Sequence, residues 1–166
     1  PHQTSWGVST RLLGAIIMVH GDDNDLVLPP YVAPIQAVVI PVAQQKPGVI
    51  PAARELEKML KDADVRVKLD ESDKTPGWKY SEYEMKGVPI RIEIGPRDLE
   101  NNCVTIVRRD TGEKIVASLD NLNVNEILES VQKNLFDRAL KHRNSHIFNA
   151  QTLDELEKIL TDTPGF

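Results

Sequence analysis

Residues 84–98 read Glu-Met-Lys-Gly-Val-Pro-Ile-Arg-Ile-Glu-Ile-Gly-Pro-Arg-Asp, and the fold is decided inside them. From Val88 to Ile94 the chain alternates without a break. Val88, Ile90, Ile92 and Ile94 fall on one side; Pro89, Arg91 and Glu93 fall on the other. Period two with β-branched residues on one side is the pattern of a half-buried strand. Gly95-Pro96 stops it. The polar side is unusual. Arg91 and Glu93 stand there with Glu84 before them and Arg97-Asp98 after, and Trp78, Tyr80 and Tyr83 come earlier. A row of donors and acceptors bordered by aromatic rings suits flat, hydrogen-bonding ligands such as unstacked bases. The same row also fits a solvated strand face with alternating charges, which is common.

On the N-terminal side, Gln36 to Val42 is a continuous apolar run of strand length, expected to be buried on both faces in a parallel sheet and to end at Pro41. Gly48 and Pro51 open a helix, with Pro near its start. Ala52, Leu56, Met59, Leu60 and Ala63 form its apolar stripe. Val65 to Leu69 alternates again and completes a right-handed β-α-β unit. Residues 70–75 are a polar loop. Pro76-Gly77 leads into a short helix, Trp78 to Lys86, closed by Gly87 at C′. On the C-terminal side, Val104–Arg108 and Lys114–Leu119 flank the turn Asp110-Thr111-Gly112-Glu113 and read as a hairpin. Asn123, with Glu126 three residues on, starts a long helix to about Ser145. Its stripe is Val124, Ile127, Leu128, Val131, Leu135 and Ala139. Residues 35–146 therefore predict β-α-β-α-β-β-β-α: an α/β, three-layer domain with a mixed five-stranded sheet flanked by helices.

The flanks are of another kind. Residues 1–11 are small and polar, then Arg11 to His20 is apolar almost all round, which predicts a helix buried on most sides with Ser9 or Thr10 as N-cap. Such a helix needs more protein around it, so the chain is expected to be a piece of a longer one. Pro29, Pro30 and Pro34 mark residues 26–34 as an extended linker and a domain boundary. After 146, Thr152 with Glu155 caps a last short helix carrying Leu153, Leu156 and Leu160. The chain has 166 residues and a net charge of −5, so any nucleic-acid contact must come from a local basic patch. One cysteine, Cys103, excludes an internal disulfide and a cysteine-based metal cluster, and fits a reducing, cytoplasmic setting. No apolar run is long enough to span a membrane.

Two long motifs in this order resemble a known family. Thr-Ser-Trp-Gly-Val-Ser-Thr-Arg at 4–11, running into Leu-Leu-Gly, His-Gly-Asp-Asp and Leu-Val-Leu-Pro-Pro, resembles motif 3 of the class II aminoacyl-tRNA synthetases. Within them it looks like the prolyl-tRNA synthetase family. Residues 76–100, Pro-Gly-Trp-Lys-Tyr through Arg-Asp-Leu-Glu, are similar to that family's anticodon-binding domain, and Arg108-Arg109-Asp-Thr-Gly-Glu-Lys114 leans toward its eukaryotic and archaeal branch. The resemblance covers the whole chain.

It implies that residues 1–34 are the end of a class II catalytic domain and its linker, 35–146 the anticodon-binding domain, and 147–166 the start of a C-terminal domain. The implied activity is attachment of L-proline to tRNA(Pro) through a prolyl-adenylate, with ATP and Mg2+ as the substrate complex. The implied roles are Arg11 on the ATP phosphates as the catalytic group, with Gln3, Thr4, Ser9 and Thr10 beside the nucleotide. Ser5, Trp6 and Gly7 would lie under the substrate proline. Glu84 and Arg91 would meet the two guanines of the anticodon, with Arg97 and Asp98 beside them and Tyr80 as a stacking ring. An arginine fork suits phosphate or a guanine O6 edge, and a carboxylate accepts the guanine N1–H and N2–H donors. Lys114 or Arg108 would hold phosphate, and Glu93 would orient Arg91. No metal site is expected in this chain; the zinc of the branch belongs to a C-terminal domain whose cysteines are absent here. A homodimer through the catalytic domain is implied, and the chain by itself is expected to be inactive because the family's motif 2 arginine is not in it. Two other readings remain: a non-catalytic RNA-binding accessory module with the same fold, and a flavodoxin-like ligand binder. The second lacks a glycine-rich phosphate loop after residues 36–42, where Gln44-Gln45-Lys46-Pro47 is a poor substitute.

Overall fold

The computed structural model describes residues 2–163. Its centre is a sheet in the order β2-β1-β3-β4-β5, built from β1 (Ala37–Pro41), β2 (Val67–Leu69), β3 (Ile90–Ile94), β4 (Cys103–Arg108) and β5 (Lys114–Ser118). The first two pairings around β1 are parallel and the last two are antiparallel. This is the mixed five-stranded sheet expected from the periodicities. β1 is buried at every position, as an unbroken apolar run in the middle of a parallel set must be.

The two faces of the sheet are covered unequally. α2 (Val49–Asp62) and α5 (Val124–Ser145) lie on one face and build the main core with Ala37, Val39, Ile90, Ile92, Ile94, Val104 and Ile106. On the other face, among the described residues, only α3 (Pro76–Met85) packs. Its Tyr83 and Tyr80 meet Val38, Ile40 and Val88 over β1. The β4–β5 half of that face keeps no helix over it among the described residues, and Val116 there is 71% exposed.

Several local readings shift. The buried stripe of α2 is Val49, Ala53, Leu56 and Leu60, while Met59 and Ala63 are exposed. The helix starts at Val49 because Gly48 enters it in the left-handed region, at φ +86°. Pro51 still fits, since N–H groups of the first turn need no helical partner. β2 is shorter than expected: Asp64 turns at φ +60° and the Val65 amide bonds back to Leu60 O, so pairing begins at Val67. Val88 does not share a side with Ile90, Ile92 and Ile94; it packs with Val38, Ile40 and Tyr83. Gly87, at φ +67°, turns the chain there, and strict alternation begins only inside β3.

The flanks behave as follows. α1 (Arg11–His20) forms where the sequence places it, but it has no buried residue; Leu12, Leu13, Ile17, Met18 and Val19 stay exposed. Among the described residues α5 meets one side of it, and its apolar remainder is uncovered. Thr10 occupies the N-cap without a side-chain cap bond. Residues 26–34 run over the domain. Val27 sits in the main core, the Leu28 amide bonds Gly87 O, and Arg66 donates to Pro30 O and Ala33 O. α4 (Pro96–Glu100) follows β3 directly, and α6 (Leu153–Asp162) opens with the expected Thr152–Glu155 box. None of the helices is long and apolar enough to cross a membrane, among the described residues.

Candidate nucleic-acid interface

Register places the candidate side chains. Arg91 pairs with Val38 on one side and Val107 on the other, and Val107 pairs with Lys114. Paired positions share a face, so Arg91 and Lys114 point the same way, two strands or roughly 10 Å apart. Glu93, Thr105 and Val116 form the next row on that face. α3 borders this surface. Thr75 caps the helix by accepting from the Trp78 amide, and Pro76 opens it. Tyr80 and Glu84, one turn apart on α3, then face Arg91.

The geometry is a closed network with an open rim. Arg91 Nε donates to Glu93 Oε1 at 3.0 Å and Nη1 donates to Glu84 Oε1 at 2.9 Å. Its guanidinium lies 4.0 Å over the Tyr80 ring, a cation–π stack. Nη2 makes no hydrogen bond to a described residue. The Arg91 side chain is 11% exposed and that of Glu93 18%, whereas Glu84 is 46% exposed. The sequence suggested a row of outward-pointing groups. The structure instead holds Arg91 and Glu93 mostly covered and leaves Glu84 as the open carboxylate. Burial pushes the Tyr80 phenol up to about 12, and the Glu93 carboxylate beside it adds to the shift, so Tyr80 keeps its hydroxyl proton at neutral pH.

A cleft of about 450 Å³ opens beside this network, between the end of α3 and the β4–β5 hairpin. Glu84, Arg91, Arg109 and Lys114 line it, with Tyr83 and Val107 among its apolar parts. Lys114 is exposed and forms no ion pair among the described residues. Arg108 is different. Its Nε and Nη2 donate to Asp110 and its Nη1 to Ser130 Oγ, with Asn134 also on Asp110. It ties the hairpin to α5 and has no donor pair left for a phosphate. Arg109 grips Asp22 through both Nη atoms, at 2.8 and 2.7 Å. That contact holds the Asp22 carboxyl below its ordinary value, against the opposing effect of burial.

The remaining expected residues lie apart from this surface. Arg97 is exposed on α4 and unpaired among the described residues. Asp98 turns back on its own helix and accepts from the Gly95 amide at 2.8 Å, so one carboxylate oxygen serves as a cap. Gln3, Thr4, Ser5, Trp6, Gly7, Ser9, Thr10 and Arg11 are all exposed, and Trp6 is 93% exposed. None of these side chains bonds another described residue. No group of three or more His, Cys, Asp or Glu among the described residues is arranged to hold a metal ion.

One constellation went unnoticed in the sequence. Lys79 is 1% exposed, and its Nζ donates to Asp70 O at 2.9 Å and lies 3.6 Å from Asp70 Oδ1. Tyr83 donates its hydroxyl to Asp70 Oδ2 at 3.1 Å. The i, i+4 spacing of Lys79 and Tyr83 was visible in the sequence; that their side of the helix turns inward was not, because it carries a lysine.

Comparison with known proteins gives the family. A family model described as "Anticodon binding domain" matches residues 36–134. The chain is similar to the curated "Proline--tRNA ligase" of Ruminiclostridium cellulolyticum (strain ATCC 35319 / DSM 5812 / JCM 6584 / H10), with 59% identity over 99% of this chain and 35% of that protein. It is 54% identical to the protein of that name from Clostridium novyi (strain NT), over 99% and 35% of the two chains. The corresponding figures for the one from Clostridium botulinum (strain Loch Maree / Type A3) are 55%, 100% and 35%. The chain thus spans about a third of the length of the curated relatives it matches.

Proposed function

The chain belongs to the anticodon-binding-domain family, and on that ground we propose that it is the part of a proline–tRNA ligase that reads the anticodon of the proline tRNA. The observation that carries the reading is the Arg91 guanidinium, held by two carboxylates and stacked on Tyr80, at the edge of an open cleft on the uncovered side of the sheet. The Glu84 carboxylate accepts the N1–H and N2–H of a guanine while Arg91 Nη2 donates to an O6. Because Glu84 and Glu93 already fix the guanidinium plane, little side-chain order is lost on binding. Lys114, across the cleft, offers a cation for the RNA backbone at a distance a nucleotide spans. Arg97, exposed on α4, stands apart from this cleft. Asp98 acts through the turn into α4, and Tyr80 supports Arg91 from below.

The same reading gives the rest of the chain its roles. Residues 1–34 end the catalytic domain, 35–146 read the tRNA, and 147–166 begin a C-terminal domain. In the parent enzyme the carboxylate of L-proline attacks the α-phosphorus of Mg2+-bound ATP, and pyrophosphate leaves. The tRNA 3′-terminal hydroxyl then attacks the prolyl carbonyl, and AMP leaves. Arg11 at the start of α1 binds the phosphate tail, where cations stabilise the charge that builds on phosphorus. Gln3, Thr4, Ser9 and Thr10 border the nucleotide, and Ser5, Trp6 and Gly7 border the proline. The parent is a cytoplasmic homodimer.

Binding of the 166-residue chain to RNA stem-loops tests the proposal. A loop with two adjacent unpaired guanines should bind about tenfold or more tighter than the same loop with adenines, since each well-made base contact discriminates by about 1–3 kcal/mol. Equal affinity for the two loops would overturn it. By itself the chain should leave ATP–pyrophosphate exchange at background; exchange above background contradicts the assignment of the phosphate clamp to two motifs.

A further inference from the structure

α3 is held from two sides. Tyr80 and Glu84 meet Arg91 on the β3 side. Lys79 and Tyr83, the residues immediately before each of them, reach down the opposite flank to Asp70 at the end of β2. Asp70 is itself fixed: its amide donates to Val39 O in β1, and the Ser72 amide donates to its Oδ1. Every partner of Lys79 is thus tied to the sheet that carries Arg91.

A lysine at this place is costly. Its ammonium is almost wholly out of water, and a buried ion pair adds little stability over apolar residues of the same size. Leucine or methionine would hold α3 against Val38 and Ile40 without that cost. What an apolar contact does not fix is rotation of the helix about its own axis, because it has no direction. Three polar contacts to one fixed aspartate do fix it. Side-chain tips lie about 6 Å from a helix axis, so a rotation of about 10° moves them by about 1 Å. A 2.9 Å bond between Arg91 and Glu84 does not survive such a slip intact.

We propose that Asp70, Lys79 and Tyr83 are positioning residues for the base reader: they set the rotation of α3 and so place Glu84 and Tyr80 against Arg91. The inference rests on the base-reading function proposed above. Asp70 and Lys79 lie outside the cleft and act through α3; Tyr83 is buried in the cleft wall, and its hydroxyl is turned away to Asp70.

The test uses the full chain, the two stem-loops and the substitution Lys79→Met, which keeps length and removes charge. With the protein folded by circular dichroism, the guanine-over-adenine preference should fall about tenfold, the size of coupling expected between residues in one network. Affinity for the adenine loop should stay as it is. In a Glu84→Gln background, Lys79→Met should cost little further preference, because the residue it serves is already lost. A folded Lys79→Met protein with wild-type preference overturns the proposal, as does an undiminished loss in the Glu84→Gln background. Should Lys79→Met fail to fold, Tyr83→Phe, which removes only the hydroxyl, is judged by the same criteria with a smaller loss of about threefold. Absence of any preference in the unsubstituted chain sinks the base-reading function itself, and is seen before any substitution is made.

Discussion

Replacing Arg91 with alanine separates a reader of bases from a charged strand face. The guanidinium holds two carboxylates and covers the Tyr80 ring. Its removal has two consequences of different kind. The first is on stability. The Glu84 partner is nearly half in solvent, so that pair is screened and counts for little. Glu93 is only 18% exposed and loses its one cation. Breaking a fully buried pair costs about 3–5 kcal/mol; for this partly covered pair we expect about 1–2 kcal/mol, readable as a shift in the urea midpoint. The second consequence is on binding. A guanidinium on a base edge contributes about 1–3 kcal/mol, or about 5- to 150-fold in Kd. The assay is fluorescence anisotropy of labelled guanine and adenine stem-loops at two salt concentrations, well below the urea and thermal transitions. The guanine loop should lose affinity and the adenine loop should change little, with an unaltered salt slope. A phosphate contact would weaken both loops alike and reduce the salt slope by about one. That result, or an unchanged Kd for the guanine loop, refutes the assignment of Arg91 to a base.

Two further outcomes follow from single features of the structure. At Gly87, φ is +67° and a Cβ would meet Leu26 side-chain and backbone atoms at 2.7–3.0 Å, so Gly87→Ala should destabilise by about 1–3 kcal/mol in urea unfolding; an unchanged midpoint would show that the turn relaxes freely. The pH profile has a sign at each end. The Asp22 and Asp70 carboxyls are held below their ordinary values, Asp22 chiefly by Arg109 and Asp70 by Ser72, Tyr83 and Lys79 against burial. Their stabilisation is complete above the unfolded value of about 4 and is lost as the pH falls through the depressed folded value. The Tyr80 and Tyr83 phenols are raised, Tyr80 to about 12, chiefly by burial; their contribution is complete below about pH 10 and is lost as the pH rises toward the folded values. Unfolding free energies measured across pH should therefore drop at both ends, and Asp70→Asn together with Asp22→Asn should flatten the acid limb; an acid limb unaffected by both contradicts the account.

Legibility differed between elements for physical reasons. β3, the hairpin, α5 and α6 were readable because alternation, turn residues and capping pairs are properties of adjacent residues, and these were strong. α2 was placed correctly and its Leu56 and Leu60 do face inward, but Ala53 rather than Ala52 is the fully buried alanine and Met59 and Ala63 lie outside, since Ala52 and Ala53 are equivalent until Gly48 fixes where the helix begins. Tyr80, Glu84, Arg91 and Glu93 were singled out from the sequence, and the structure brings these four together. Arg97 and Asp98 lay close in the chain but diverge, because α4 turns at once and Asp98 caps it. Arg108 looked available for phosphate; α5, some twenty residues further on, supplies Ser130 and Asn134 to the network that occupies it.

By itself, the sequence determined the order of helices and strands, the mixed sheet, and which strand carries arginine and glutamate on its polar side. Each of these is encoded within a few consecutive residues. The tertiary structure alone decided which charges are spent and which are free. Lys79 was buried, Arg108 and Arg109 were committed to aspartates, Arg91 was neutralised yet left with one open nitrogen, and Lys114 was left bare. Ion pairing depends on distance through space between residues far apart along the chain, and no periodicity records it.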